Sequence, residues 1–215
     1  KEKKEDMVMY TWMSFSPDTN YLVYAKNHNL YMRGNKYKGQ DTTEIQLTTN
    51  GERYFSYARN GQDTVSDEEA MAGRWFPKVN KVYVLRQDNR NSDEMAVINV
   101  LAKPKPVLER YKYDMAGDKN LSKWVLSVID VDKRKVTDFN IERWQDQDAE
   151  VRYVTDKGDK IFFERYNRVR DEVELCVGNT ETGEVKVLIH EVDKPYIDYH
   201  MRNIVFLNEG NDILY

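Results

Sequence analysis

"FSPDTNYLVY" occupies residues 15–24, and the same phrase returns three times along the chain. Without gaps it lies over "WFPKVNKVYV" at 75–84, "VTDKGDKIFF" at 154–163 and "FLNEGNDILY" at 206–215. Each copy reads as an apolar or aromatic residue, a polar four-residue turn and a β-rich run. Phe15, Trp75, Val154 and Phe206 end an incoming strand, and Leu22, Val82, Ile161 and Ile213 share one column of the outgoing strand. Pro17 and Pro77 fix φ in the turn, while Gly158 and Gly210 supply a permissive backbone one or two positions on. One hairpin cannot bury its own apolar face in water. Repetition at this scale therefore marks a repeat architecture.

A second hairpin follows the phrase in each unit. "NLYMRGNKYKGQDTTEIQLTTNGE" (29–52) closes at Asn50-Gly51, "WVLSVIDVDKRKVTDFNI" (124–141) turns at 132–134, and "DEVELCVGNTETGEVKVLI" (171–189) turns at Thr182-Gly183. Two hairpins make a four-stranded antiparallel sheet, the unit of a β-propeller. The expected fold class is all-β, a partial β-propeller of about three four-stranded antiparallel blades plus the start of another. The approximate units are 10–52, 74–141, 150–189 and 203–215, all within one propeller domain. The copies are unevenly spaced and lie further apart than the roughly 40–45 residues of a regular blade, which places insertions inside some units. A β-sandwich also uses short strands at close spacing, but the double hairpin favours the propeller. Tyr215 falls inside the first hairpin of a fourth unit. Since a ring typically closes with four to eight blades, the expectation is a piece of a larger protein. Helical periodicity is nearly absent. The exception is Ser66-Asp67-Glu68-Glu69, which has the form of a capping box and predicts a short helix that Gly73 could end.

Composition narrows the function classes. The net charge is −4 over 215 residues, with acids and bases interspersed, which argues against a nucleic-acid surface. No apolar stretch approaches the roughly eighteen residues of a membrane span, and residues 1–6 are charged, without the apolar core of a signal peptide. Cys176 is the single cysteine, so no internal disulfide forms. His28, His190 and His200 have no metal-like partner at i+3 to i+5, and no tetrahedral ligand set is legible. No Gly-x-Ser-x-Gly elbow occurs, and Ser14, Ser16, Ser56, Ser66, Ser92, Ser122 and Ser127 all read as turn, cap or strand residues. With no glycine-rich phosphate loop and no calcium loop, the chain is expected to hold no catalytic residue, no metal and no cofactor. The acidic cluster Asp67-Glu68-Glu69 has two readings. It complements a helix N-terminus, or two of its acids face the ring's cavity and bind a cation such as an amine.

The order of these segments resembles the N-terminal propeller of dipeptidyl peptidase IV-type enzymes, in the prolyl oligopeptidase class of serine peptidases. "FSPDTNYLVYAKNHNLYM", "QLTTNGE", the acidic segment and "RWFPKVNKVYVLRQDN" follow one another as in that family. Tyr113, Ala116, Gly117 and Asn120 match its Tyr-Pro-x-Ala-Gly-x-x-Asn-Pro, with Asp114 and Leu121 where prolines are usual. The resemblance covers about residues 10–190. It implies part of an eight-bladed propeller capping a C-terminal α/β-hydrolase domain that carries the nucleophile, outside this chain. It implies peptide substrates cleaved as dipeptides or tripeptides from their N-termini. It is also compatible with a homodimer of the parent and with a periplasmic or secreted location. The family's glutamate pair, which binds the substrate's free α-amine, would be Glu68 and Glu69. Two departures stand out: the stretch from Glu69 to Pro77 is shorter than usual, and Ser66 replaces the tyrosine expected before the pair. Two other readings remain open, a propeller binding module for protein partners without peptidase activity, and a carbohydrate-active propeller.

Overall fold

The column shared by the four copies is a register. In the computed structural model, which describes residues 12–59, 68–198 and 202–215, Phe15 pairs with Leu22, Trp75 with Val82, Val154 with Ile161 and Phe206 with Ile213. The first sheet contains β1 (Ser14–Phe15), β2 (Tyr21–Lys26), β3 (Asn29–Gly34) and β4 (Ile45–Gln46), in that order. The second is built from β5 (Arg74–Trp75) and β6 (Lys81–Asp88), an inserted hairpin of β7 (Glu94–Asn99) and β8 (Val107–Lys112), then β9 (Lys123–Asp130) and β10 (Lys135–Phe139). Its four strands lie in the order β10-β9-β6-β5, and β7-β8 forms a sheet of its own. The third contains β11 (Gln147–Val154), β12 (Lys160–Asn167), β13 (Glu172–Asn179) and β14 (Val185–Val192) in sequence order. A last hairpin pairs β15 (Val205–Leu207) with β16 (Asp212–Leu214). This is an all-β partial propeller of three four-stranded blades and the beginning of a fourth.

The recurring turn is closed by its own residues. Ser16 N–H donates to the Tyr21 carbonyl at 2.9 Å, Phe76 N–H to Lys81 at 2.8 Å and Thr155 N–H to Lys160 at 3.2 Å. In the first copy Asp18 accepts from the Ser16 hydroxyl at 2.6 Å and from Asn20 N–H at 2.9 Å. Gly158 and Gly210 sit at φ +69° and +72°, conformations that disfavour a Cβ. Space forbids one too: a Cβ on Gly210 would come within 2.4 Å of the Phe162 ring.

Side-chain alternation then stacks the sheets. Val82 and Val84 of β6, with Ile129, point to the first sheet and pack with Val23, Ala25, Leu30 and Met32. Leu126 and Val128 of β9 point the other way, to Ile161, Phe163 and Cys176 of the third. Phe162 faces onward again and meets Phe206 at 5.0 Å, where Phe206 stacks on Tyr153 at 4.9 Å. β2 and β12 are buried over consecutive residues, as in Leu22 to Ala25, whereas β6 alternates from Val82 to Arg86. Each large apolar side chain so buried contributes about 1.5–3 kcal/mol. A sandwich would enclose one core between two sheets. Here successive interfaces follow one another, which excludes it. First strands of neighbouring sheets lie side by side, as in the bond from Trp75 Nε1 to Ser14 Oγ at 2.9 Å, so the sheets converge on that edge. Lys81 fastens the second sheet to the third, donating to the Gly158 carbonyl, Thr180 Oγ1 and Glu181 Oε1 at 3.0, 3.1 and 2.8 Å. Its hydrogen bond, followed by that of Lys133, holds the Glu181 carboxyl down to about 2.

The expected helix is not formed. Glu68 lies in a bend, and Glu69 forms an isolated β-bridge with Ala25, while Ser66 and Asp67 lie outside the described residues. The cause is non-local. β1 pairs with β2 only as far as Val23, leaving the edge amide and carbonyl of Ala25 open, and buried backbone groups require partners. Glu69 satisfies both, each at 2.9 Å. Gly73 ends no helix; its missing Cβ admits Val82, whose Cγ1 would lie 2.6 Å away. His190 belongs to β14, 3.3 Å from the Glu172 carboxylate, and His200 lies outside the described residues.

Candidate functional site

Glu68 and Glu69 stand on the edge of the first sheet where the first strands converge, because Glu69 continues the place beside β2 that β1 vacates. The segment from Glu69 to Ala72 is held at both ends. Ala25 bonds Glu69, and further on Ala72 N–H donates to the Tyr57 carbonyl and Arg59 N–H to Ala70, both at 2.8 Å. The two neighbouring carboxylates thus sit on a fixed backbone.

Beside Glu68 lies the face of the first sheet turned away from the second. Alternation places Leu22, Tyr24 and Lys26 of β2 on this face, and the register sets Arg33 opposite Leu22 and Tyr31 opposite Tyr24. Arg33 lies 5.2 Å from the Tyr24 ring and 5.4 Å from the Trp12 ring, and its Nη1 donates to Glu68 Oε1 at 3.3 Å. Trp12 meets Tyr24 edge-on at 5.5 Å. The Tyr24 hydroxyl donates to Glu44, which also accepts from Lys26 Nζ at 2.8 Å. Burial, with Glu44 beside it, pushes the Tyr24 phenol upward, so it stays a neutral donor. The Lys26 hydrogen bond, then that of Tyr24, holds the Glu44 carboxyl below the usual range.

The Glu68 side chain retains 28 % of its exposure and Arg33 30 %. Glu44 and Glu68 share the neighbourhood with two cations, Lys26 and Arg33, whereas the bridge to Ala25 gives Glu69 the face of Ala25, which is turned to the second sheet. Cation–π contacts to two rings restrict Arg33, which in turn restricts Glu68. Sequence reasoning named Glu68 and Glu69 and missed Trp12, Tyr24, Arg33 and Glu44. Alternation puts Tyr24 and Lys26 on one face, but the approach of Arg33 to Glu68 needs a contact across 35 positions. Among the described residues no cluster of His, Cys, Asp and Glu is arranged to hold a metal, and no helix is long and apolar enough to cross a membrane. Cys176 is buried, and that burial pushes its thiol up to about 11.

Known proteins share this architecture. The family model for the dipeptidyl peptidase IV (DPP IV) N-terminal region matches residues 3–215. A protein of Colletotrichum graminicola assigned as dipeptidyl-aminopeptidase B is 28% identical over 177 residues, covering 75% of this chain and 18% of that protein. The crystal structure of Porphyromonas gingivalis dipeptidyl peptidase 4 superposes with a TM-score of 0.68 at 19% identity, over 95% of this chain and 29% of that one. A Bacteroides ovatus protein assigned as a dipeptidyl aminopeptidase IV gives a TM-score of 0.64 at 20% identity, over 91% and 26%. At these identities the two structures show a shared fold. The chain spans less than a third of the length of each of these relatives. On the match along nearly its whole length, the chain belongs to the dipeptidyl peptidase IV N-terminal region family.

Proposed function

We propose that this chain is the non-catalytic propeller of a longer serine exopeptidase of the dipeptidyl peptidase IV type, gating peptide entry and orienting substrates by their N-terminus. The observation that carries the reading is the Glu68–Glu69 pair on the converging edge, its backbone bridged to Ala25 and one carboxylate steadied by Arg33. A substrate ammonium between the two carboxylates would gain charge-assisted hydrogen bonds. An acylated N-terminus would leave both acids unpaired, which selects against it. Peptide cleavage belongs, in this reading, to a C-terminal α/β-hydrolase domain of the parent, and the location is periplasmic or secreted. The test uses the full-length parent, treated with a fluorophosphonate serine probe and offered free and N-acetylated Xaa-Pro amides. Labelling, with cleavage of the free-amine substrate alone, is the expected result. Neither labelling nor cleavage would leave a propeller that serves as a binding module.

The inserted β7–β8 hairpin supports a homodimer of the parent. Ile98, Val100 and Leu101 near its tip are 66, 68 and 87% exposed, an apolar surface that a second copy could cover. Leu101→Asp is expected to shift the parent from dimer to monomer in light scattering coupled to size exclusion. An unchanged mass would remove this surface from the interface.

A further inference from the structure

Arg86, on the β6 face turned to the first sheet, is only 4% exposed, and among the described residues no carboxylate forms an ion pair with it. A buried cation needs compensation, and here aromatic faces and backbone supply it. Its guanidinium lies 3.5 Å from the centroid of Phe55 and 3.6 Å from that of Tyr57, while Arg90 lies 4.5 Å from Phe55. Nη1 donates to the Phe55 carbonyl at 3.2 Å and Nη2 to Asn50 Oδ1 at 3.3 Å, an oxygen that also accepts from the Tyr57 hydroxyl at 2.9 Å. The planar fork therefore fixes both the rings and the backbone of residues 50–57 against the second sheet.

Those residues carry the carboxylate segment. Tyr57 N–H donates to the His28 carbonyl at 3.0 Å and the Tyr57 carbonyl accepts from Ala72, while Ala58 bridges Met71. The segment from Glu69 to Ala72 is thus clamped between Ala25 of the first sheet and Tyr57, whose ring rests on Arg86 of the second. We infer that Arg86 is a positioning residue for Glu68 and Glu69, setting the amine-binding carboxylates through Tyr57. This rests on the amine-binding reading given above. Arg86 itself touches no substrate.

The test is steady-state kinetics of the full-length parent on a free Xaa-Pro amide. Arg86→Met should raise KM about tenfold while kcat stays within about threefold, because substrate binding rather than chemistry is disturbed. Arg86→Lys keeps the charge without the planar stack and should fall between, so it also serves if the methionine variant does not fold. Because Arg86 acts through Glu69, the double variant Arg86→Met/Glu69→Gln should be no worse than Glu69→Gln alone. If Glu68→Gln and Glu69→Gln raise KM but Arg86→Met lowers only Tm, this inference is overturned alone. Independent, multiplicative effects in the double variant would overturn it too. If the glutamine variants leave KM unchanged, the amine reading falls and this inference with it.

Discussion

Replacing Glu164 by alanine should lower stability by about 3–5 kcal/mol, the effect of removing one partner from a buried ionic cluster. Glu164, on β12, is fully buried. Its Oε2 accepts from Arg152 Nε at 2.5 Å and its Oε1 from Arg202 Nη2 at 2.6 Å. One carboxylate thereby joins β11 and β12 to the segment that leads into β15. Arg152 keeps 31% side-chain exposure and a second acid, Glu150, at 3.1 Å, so it can turn to water. The Arg202 side chain is only 10% exposed and leads on to Glu191 at 3.3 Å and to the Tyr215 hydroxyl. Most of the cost therefore arises at Arg202, the more deeply buried of the two cations. Urea unfolding of wild type and variant, side by side, gives the difference from the midpoints. Pairing Glu164→Leu with Arg202→Met should recover most of it, because apolar groups of similar volume often replace buried ion pairs without loss. Lys123–Glu142, more than half exposed on both sides, is the control; breaking it should cost less than about 1 kcal/mol. A Glu164→Ala loss as small as that control would mean that water reaches the cluster.

The second large effect concerns activity. On the proposed amine-binding function, Glu69→Gln and Glu68→Gln in the full-length parent should each lower kcat/KM on free-amine Xaa-Pro amides by about a hundredfold, or about 2.7 kcal/mol. The amide keeps the shape and removes the charge, so the loss reports the charge-assisted bond to the ammonium. It should fall mainly on KM, since the N-terminus lies away from the scissile bond. Glu68 is held by Arg33 at 3.3 Å, so Arg33→Met should reproduce part of the Glu68 effect. Equal kcat/KM for wild type and both glutamine variants would show that the amine is held elsewhere.

How far the chain could be read from its letters depended on the range of the interaction involved. The repeated turn is made by neighbours in sequence: Ser16, Asp18 and Asn20 bond one another, and Gly158 and Gly210 supply φ values that few other residues adopt. The pairing of Phe15 with Leu22 therefore recurs at Trp75, Val154 and Phe206 without help from the rest of the fold. The uneven spacing signalled an insertion, and only the structure put it between β6 and β9 as an exposed hairpin. The helix expected at Ser66 shows the opposite case. At Glu69, within the described residues, a bridge to Ala25, more than 40 residues away in sequence, stands where a helical turn was expected.

The candidate site divides along the same line. Glu68 and Glu69 were legible as adjacent acids within a familiar order of segments, but their environment was not. Arg33, with Tyr24 beside it, reaches Glu68 only because β2 and β3 pair in one register and the Glu69 segment docks on that sheet. Lys81 and Arg86 became a latch and a buried stack only when sheets met face to face. The sequence by itself determined the repeated hairpins and the blade class, because turn chemistry and two-residue alternation act over a few positions. The tertiary structure alone decided which charges meet and which are buried, because those contacts form between residues that the chain brings together only after the blades have stacked.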